Sequence, residues 1–198
     1  MDLRRRGVWT AGGWLVALAL GACRAPVGES PAARAAHAAD DGGPATEDVA
    51  AIRRTLDELY AAFCFDAGKE ADWERIRASS IDGAVWVAPI APGAAARGDG
   101  TDAFVQGFRA AIHSSPELAR GFHERIVHAR IDRFGTVAHA WVAFEGFVPG
   151  DGRALTRGLD SLQLVFVRGE WRVASFTTQY EGGELSIPSR FLALRDRD

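Results

Sequence analysis

Apolar positions along this chain repeat with two different periods. Val49, Ile52, Leu56, Leu59, Tyr60 and Phe63 recur at steps of three and four, the spacing of one buried helical face. Thr46 suits the N-cap of this first helix, Glu47 and Asp48 suit its positive start, and Gly68 ends it. A short second helix is expected over 72–79, with Trp73 and Ile76 turned inward, and then a strand over 84–88 stopped by Pro89. Thr101 opens a third helix with Phe104, Val105, Phe108 and Ile112 on its inner face, closed by Ser114-Ser115-Pro116. From Gly121 the period becomes two. Strands are expected over 123–133, 136–147, 154–167 and 171–181, joined by Phe134-Gly135, Pro149-Gly150-Asp151-Gly152 and Arg168-Gly169-Glu170. Sequential strands with short turns predict an antiparallel meander, and helices ahead of such a sheet pack on one of its faces, an α+β layout. Residues after Gly182 read as a tail, in which Ile187, Phe191 and Leu192 are able to dock.

Ahead of the folded part the pattern is of another kind. Arg4, Arg5 and Arg6 precede an uncharged run over 8–22. At 1.5 Å per residue this run is too short to cross a hydrocarbon core of roughly 30 Å, so it reads as the apolar region of a signal peptide. Leu20-Gly21-Ala22-Cys23 resembles the lipobox of bacterial lipoproteins. That resemblance implies a signal peptide over 1–22, acylation at Cys23, and a protein anchored by lipid to a membrane of the bacterial cell envelope after export. Residues 24–45 hold eight Ala, three Pro and three Gly and no aromatic residue. Such a segment cannot bury enough apolar surface to fold, and 23–45 is expected to be a lipidated cysteine and flexible tether.

The chain has 198 residues, 47% hydrophobic and 25% charged, with a net charge of −3, which fits one soluble globular domain. Removing residues 1–22 takes away three Arg and one Asp and moves the net charge to −5. Neither value suits nucleic-acid binding or adhesion to anionic lipid by charge, so membrane contact is expected through the anchor only. Cys64 is then the one free thiol, set among Phe63, Phe65 and alanines as an inert buried group. The five histidines form no helical HxxxH or HExxH pair, and no metal site or cofactor is expected. No phosphate loop or nucleophile elbow is present.

Three helices, an early strand and a curved meander, in that order, resemble the cone-shaped fold of the SnoaL-like, or nuclear transport factor 2-like, superfamily. Matching strings are Tyr60-Ala61-Ala62 with Asp66-Ala67-Gly68, Ala84-Val85-Trp86-Val87, Arg97-Gly98, Ser161-Leu162-Gln163-Leu164-Val165 and Gly169-Glu170-Trp171-Arg172-Val173. The resemblance covers 46–182, leaves 183–198 as a tail, and implies a pocket between the concave sheet face and the helices. Ketosteroid isomerases of this superfamily pair a first-helix tyrosine with a late-strand aspartic acid and place a carboxylate base just before a proline. Tyr60 and Asp160 lie at the first two places, but the base position is Ala88, before Pro89. A methyl group accepts no proton.

Candidate ligand-binding residues are therefore Tyr60, Trp86, His139, Trp141, Asp160 and Gln163. His139, Trp141 and Glu145 share one face of their strand, and Ala138, Ala140, Val142 and Phe144 the other. Both faces are apolar enough that the pattern does not say which is concave. The leading expectation is a lipid-anchored envelope protein whose domain binds a small, largely apolar ligand or a protein partner without catalysis. The alternative is an isomerase- or dehydratase-type enzyme with His139 as base and Tyr60 and Asp160 as donors. A third reading is an assembly domain, forming a homodimer through the sheet.

Overall fold

The computed structural model describes residues 44–88 and 95–192. The expected signal peptide, Cys23 and nearly all of the tether lie outside these residues. Helix α1, Pro44–Phe63, starts two residues before Thr46, because proline fits a first helical turn whose N–H groups have no partner in any case. Thr46 is therefore inside the helix and not its cap. The buried stripe of α1 is Ile52, Leu56, Leu59, Tyr60 and Phe63, while Val49 stands on its exposed side.

A short strand β1, Phe65–Asp66, leads to helix α2, Trp73–Ala78, which Asp72 caps by accepting from the Arg75 N–H at 3.0 Å. Strand β2, Ser80–Val87, and the short β3, Gly98–Gly100, precede helix α3, Thr101–Ser114. The meander follows as β4 Gly121–Phe134, β5 Val137–Phe147, β6 Thr156–Val167 and β7 Glu170–Tyr180. Arg168 and Gly169, both at positive φ, close the last hairpin, the conformation that matches strand twist in a two-residue turn.

Strand order is β1-β4-β5-β6-β7-β2-β3. The meander pairs are antiparallel, as its turns require. The sheet as a whole is mixed, which corrects the expectation of an antiparallel one, because β2 runs parallel to β7. No hairpin constrains β2 to oppose β7; the chain reaches that edge by way of α1 and α2, so direction is free. A register shift between Ile126 and His128 divides β4. Phe122, Glu124 and Ile126 face the helices before the bulge, and Ala129 and Ile131 after it.

The main core lies between α1, α3 and the concave sheet face. Trp86 is fully buried there, its ring stacked between Phe104 at 4.5 Å and Phe176 at 4.7 Å, with its N–H donating to Thr101 at 3.0 Å. On β5 the concave residues are Ala138, Ala140, Val142 and Phe144. The opposite face carries Trp141 and Ala143, and the chain end packs on these two. Ile187 and Phe191 dock there, Phe191 within 5.1 Å of Trp141. The Ile187 N–H donates to Glu181 at 2.7 Å and fixes this return.

Candidate active or ligand-binding site

α1, α3 and the concave face enclose a pocket of about 370 Å³. Its wall is largely aromatic: Phe63 from α1, Phe104 and Phe108 from α3, Phe122 from β4, Phe144 from β5, Phe176 and Tyr180 from β7. Two glycines leave room for these rings. A Cβ on Gly158 would stand 2.6 Å from the Phe144 ring, and one on Gly146 would stand 2.8 Å from the Phe122 ring. Rings can therefore lie flat over the sheet where a side chain would lift them.

Asp160 enters this wall from β6, whose alternation turns Gly158, Asp160 and Leu162 to the concave side. It is 2% exposed. Tyr60, equally buried on α1, donates its hydroxyl to Asp160 Oδ2. Asp160 Oδ1 has no hydrogen-bond partner among the described residues. Burial raises this carboxyl to about 7, against the pull of the Tyr60 and Thr178 hydroxyls, which favour its charged form. Thr178 is its cross-strand neighbour on β7.

A second carboxyl shares the pocket. Glu124 lies on β4 opposite Gly146, which offers no side chain to cover it, and its N–H donates to Cys64 Sγ at 3.2 Å. Burial first, and then the charge of Asp160, push Glu124 up to about 8. Tyr180 is pushed up to about 12 by burial and by the same two acids. Burial likewise raises the Cys64 thiol, which stays partly buried between Tyr60 and Glu124. The two acids therefore keep their protons toward neutrality, and each can donate a hydrogen bond to an oxygen, accept one from an N–H, or pass a proton.

Asp160 alone of the six expected ligand residues lines the pocket. Tyr60 touches it only through Asp160, because its hydroxyl is engaged there. Trp86 lies one layer behind, covered by Phe104 and Phe176. His139, Trp141 and Gln163 are on the opposite sheet face, since the concave residues of β5 and β6 are those of the other parity. His139 meets the Ser161 hydroxyl at 3.0 Å and the Trp141 ring edge, and burial pulls its imidazole down. It cannot serve a ligand in the cone. Ala88 lines the pocket and confirms that no carboxyl stands at that place.

Asp99, Glu124, Thr178 and Tyr180 are the polar pocket residues missing from the sequence-based set. The signal for Glu124 was available: Phe122, Glu124 and Ile126 alternate, so the apolar residues two steps away place it on the inner face. A larger cleft of about 720 Å³ runs between α1, α2 and the β6–β7 turn. Arg75 pairs with Glu58 and Arg172 with Glu170, and the acids that line it are exposed.

No protein-family model matches the chain, and no curated protein is similar to it. Solved structures are similar in fold. A nuclear transport factor 2-like protein of unknown function from Pseudomonas putida KT2440 has 15% identity and a TM-score of 0.55, over 79% of this chain and 98% of that one. A second such protein, from Shewanella baltica OS155, has 22% identity and a TM-score of 0.50, over 70% and 97%. A protein provisionally named an aromatic ring hydroxylase, from Novosphingobium aromaticivorans, has 16% identity and a TM-score of 0.51, over 70% and 92%. At these identities the likeness is one of architecture: the described chain has the nuclear transport factor 2-like cone fold, α+β, with few helices on an open, curved, mixed sheet.

Proposed function

We propose that this chain is a lipid-anchored cell-envelope protein whose cone pocket binds a small, largely apolar ligand without catalysis. The observation that carries the reading is the aromatic pocket with a buried carboxyl whose Oδ1 is left without a partner. Apolar walls with one or two convergent polar groups are the usual make-up of a small-molecule site. The anchor rests on Leu20-Gly21-Ala22-Cys23 behind the uncharged run.

Gly107 tests the pocket. It lies on the pocket side of α3, and a Cβ there meets nothing within 4 Å. Gly107→Trp should fill the cavity without strain in the helix. Fluorescence titration of the full chain with the apolar dye N-phenyl-1-naphthylamine should show binding that this variant loses; equal binding by both forms overturns the reading. Cys23→Ser tests the anchor by membrane fractionation. The wild type should sediment with membranes and the variant should not, and a wild type that stays soluble removes the anchor from the proposal.

A second reading, an isomerase- or dehydratase-type enzyme, moves its base from His139 to Glu124. Glu124 favours it by facing the same pocket as Asp160. Turnover of a β,γ-unsaturated ketosteroid by the wild type, lost in Glu124→Gln, would replace the first reading with this one.

A further inference from the structure

We infer that the ligand of the cone pocket is an apolar amine, bound as its ammonium cation between Asp160, Glu124 and the aromatic wall. This rests on the binding reading above and adds the charge of the ligand to it. Every ionisable side chain in the pocket lining is an acid or a phenol: Asp99, Glu124, Asp160 and Tyr180. No Lys, Arg or His is among the described lining residues, and residues 89–94 carry no ionisable side chain. Arg97 pairs with the lining residue Asp99 at 2.7 Å and so neutralises that acid. The other nearby arginines are engaged away from the pocket, Arg109 with Glu70, Arg120 with Asp151, and Arg125, next to Glu124 in sequence, with Glu145.

An anionic ligand would thus enter a cavity whose adjoining cation, Arg97, is already held by Asp99, and it would meet Asp160 and Glu124 with no free counter-charge among the described lining residues. A neutral ligand could take one hydrogen bond from a protonated acid. A cation does more. Its N–H groups meet Asp160 Oδ1, which is buried and without a partner, and its charge offsets the cost of ionising the acid there. The faces of Phe144, Phe122 and Tyr180 add attraction for an ammonium placed among them. Tyr60 strengthens the same end state, because its donated hydroxyl stabilises ionised Asp160.

The groups that face the acid pair set the pH behaviour. These are Tyr60 from α1 and Thr178 and Tyr180 from β7, with the Asp99–Arg97 pair at β3 on the same lining, neutral as a whole. Binding a cation draws the pair toward its charged form, so a proton is released and affinity rises with pH while the amine stays protonated. Burial holds the free pair near neutral, at about 7 and about 8, which puts this rise in the range pH 6 to 8.5.

The test compares three probes of one shape, 1-naphthylmethylamine, 1-naphthylmethanol and 1-naphthoic acid, by calorimetry on the full chain. The amine is expected to bind about tenfold tighter than the alcohol at pH 8, with the acid weakest. Amine binding should release protons, seen as an enthalpy that changes between buffers of different ionisation heat, and alcohol binding should release none. Asp160→Asn and Glu124→Gln are near-isosteric and should each bring the amine's preference below about threefold, with folding checked by circular dichroism. Asp132→Asn, which removes a carboxylate from the outer face, should leave it unchanged. An alcohol that binds as tightly as the amine, or an acid that binds best, overturns the inference and leaves the binding reading in place. Failure of all three probes to bind overturns both. If Asp160→Asn fails to fold, Glu124→Gln alone decides.

Discussion

The two faces of the sheet treat the same kinds of side chain in opposite ways. On the outer face Glu145 is held by Arg125 at 2.6 Å and Arg157 at 3.2 Å, and Arg157 also reaches Glu181. His139 has Ser161, and the docked chain end covers Trp141 and Ala143. On the inner face Asp160 accepts from Tyr60 on Oδ2 and has the Thr178 hydroxyl as a neighbour, its Oδ1 makes no hydrogen bond among the described residues, and Glu124 has no basic partner among them. Charge is thus balanced on the outer face and left unbalanced on the inner one, while buried polar atoms without a hydrogen-bond partner occur on both, Arg157 Nε and Arg172 Nε outside and Asp160 Oδ1 inside. A buried polar atom without a partner costs free energy, and Asp160 is the residue with such an atom that also stands in the pocket wall.

That contrast can be broken first through the inner wall. Trp86→Ala removes a fully buried ring stacked between two phenylalanines and should cost about 3–5 kcal/mol in urea unfolding. A cost below 1 kcal/mol, as at a surface site, would show that the stack is not part of the core.

The pH dependence sharpens it next. Folded Asp160 and Glu124 hold their protons up to about 7 and about 8, against ordinary values of 3.8 and 4.5. The stability they contribute is full below pH ~4 and is lost as pH rises to about 8, because the unfolded chain ionises first. The slope limit is about 1.4 kcal/mol per pH unit for each acid. Urea unfolding should therefore show the wild type weakening between pH 5 and 8. Asp160→Asn/Glu124→Gln should lack that slope. His139, pulled down by burial, acts in the opposite sense, so the double variant against wild type is the decisive comparison. A double variant that weakens as steeply as the wild type would clear the inner acids of the effect.

Gly158→Ala is expected to cost about 1–3 kcal/mol by overpacking against Phe144, and the displaced ring should narrow the pocket and weaken dye binding. The smallest effect belongs to the outer face. His139→Ala loses one half-exposed hydrogen bond, about 0.5–1.5 kcal/mol, and should not change ligand affinity. A loss of affinity there would contradict the division between the faces.

Strand positions were legible because period two survives wherever one face is buried, and the meander's turns carry Gly and Pro at the right places. The concave side was not. On β5 both Ala138-Ala140-Val142-Phe144 and Val137-His139-Trp141 are apolar, since the outer set is covered in part by the chain end. Sequence period reports burial, and here the outer face is covered in part as well as the inner one. The same ambiguity put His139, Trp141 and Gln163 in the wrong place. The direction of β2 escaped for another reason. Its partner is set by long-range closure, which leaves no local trace. Of the site, the places of Asp160 and Tyr60 followed from resemblance, which implied two donors to a ligand, whereas Tyr60 donates to Asp160 itself; Glu124 needed the parity of its neighbours to be read as evidence of an inward side chain.

The parallel seam has a consequence in time. Val85 pairs with Ser175, about ninety residues later, whereas the hairpins of the meander close over a few residues. Local pairs form cheaply and early, and distant ones wait on loop closure. The seam carries Trp86 and Phe176, and Phe176 is part of the pocket wall. The cone thus reaches its final shape only when the most distant strands meet, and on a growing chain that moment comes after β7 has been made. The cavity is among the last features to exist, so its occupant meets a finished domain and takes no part in the early steps of its assembly.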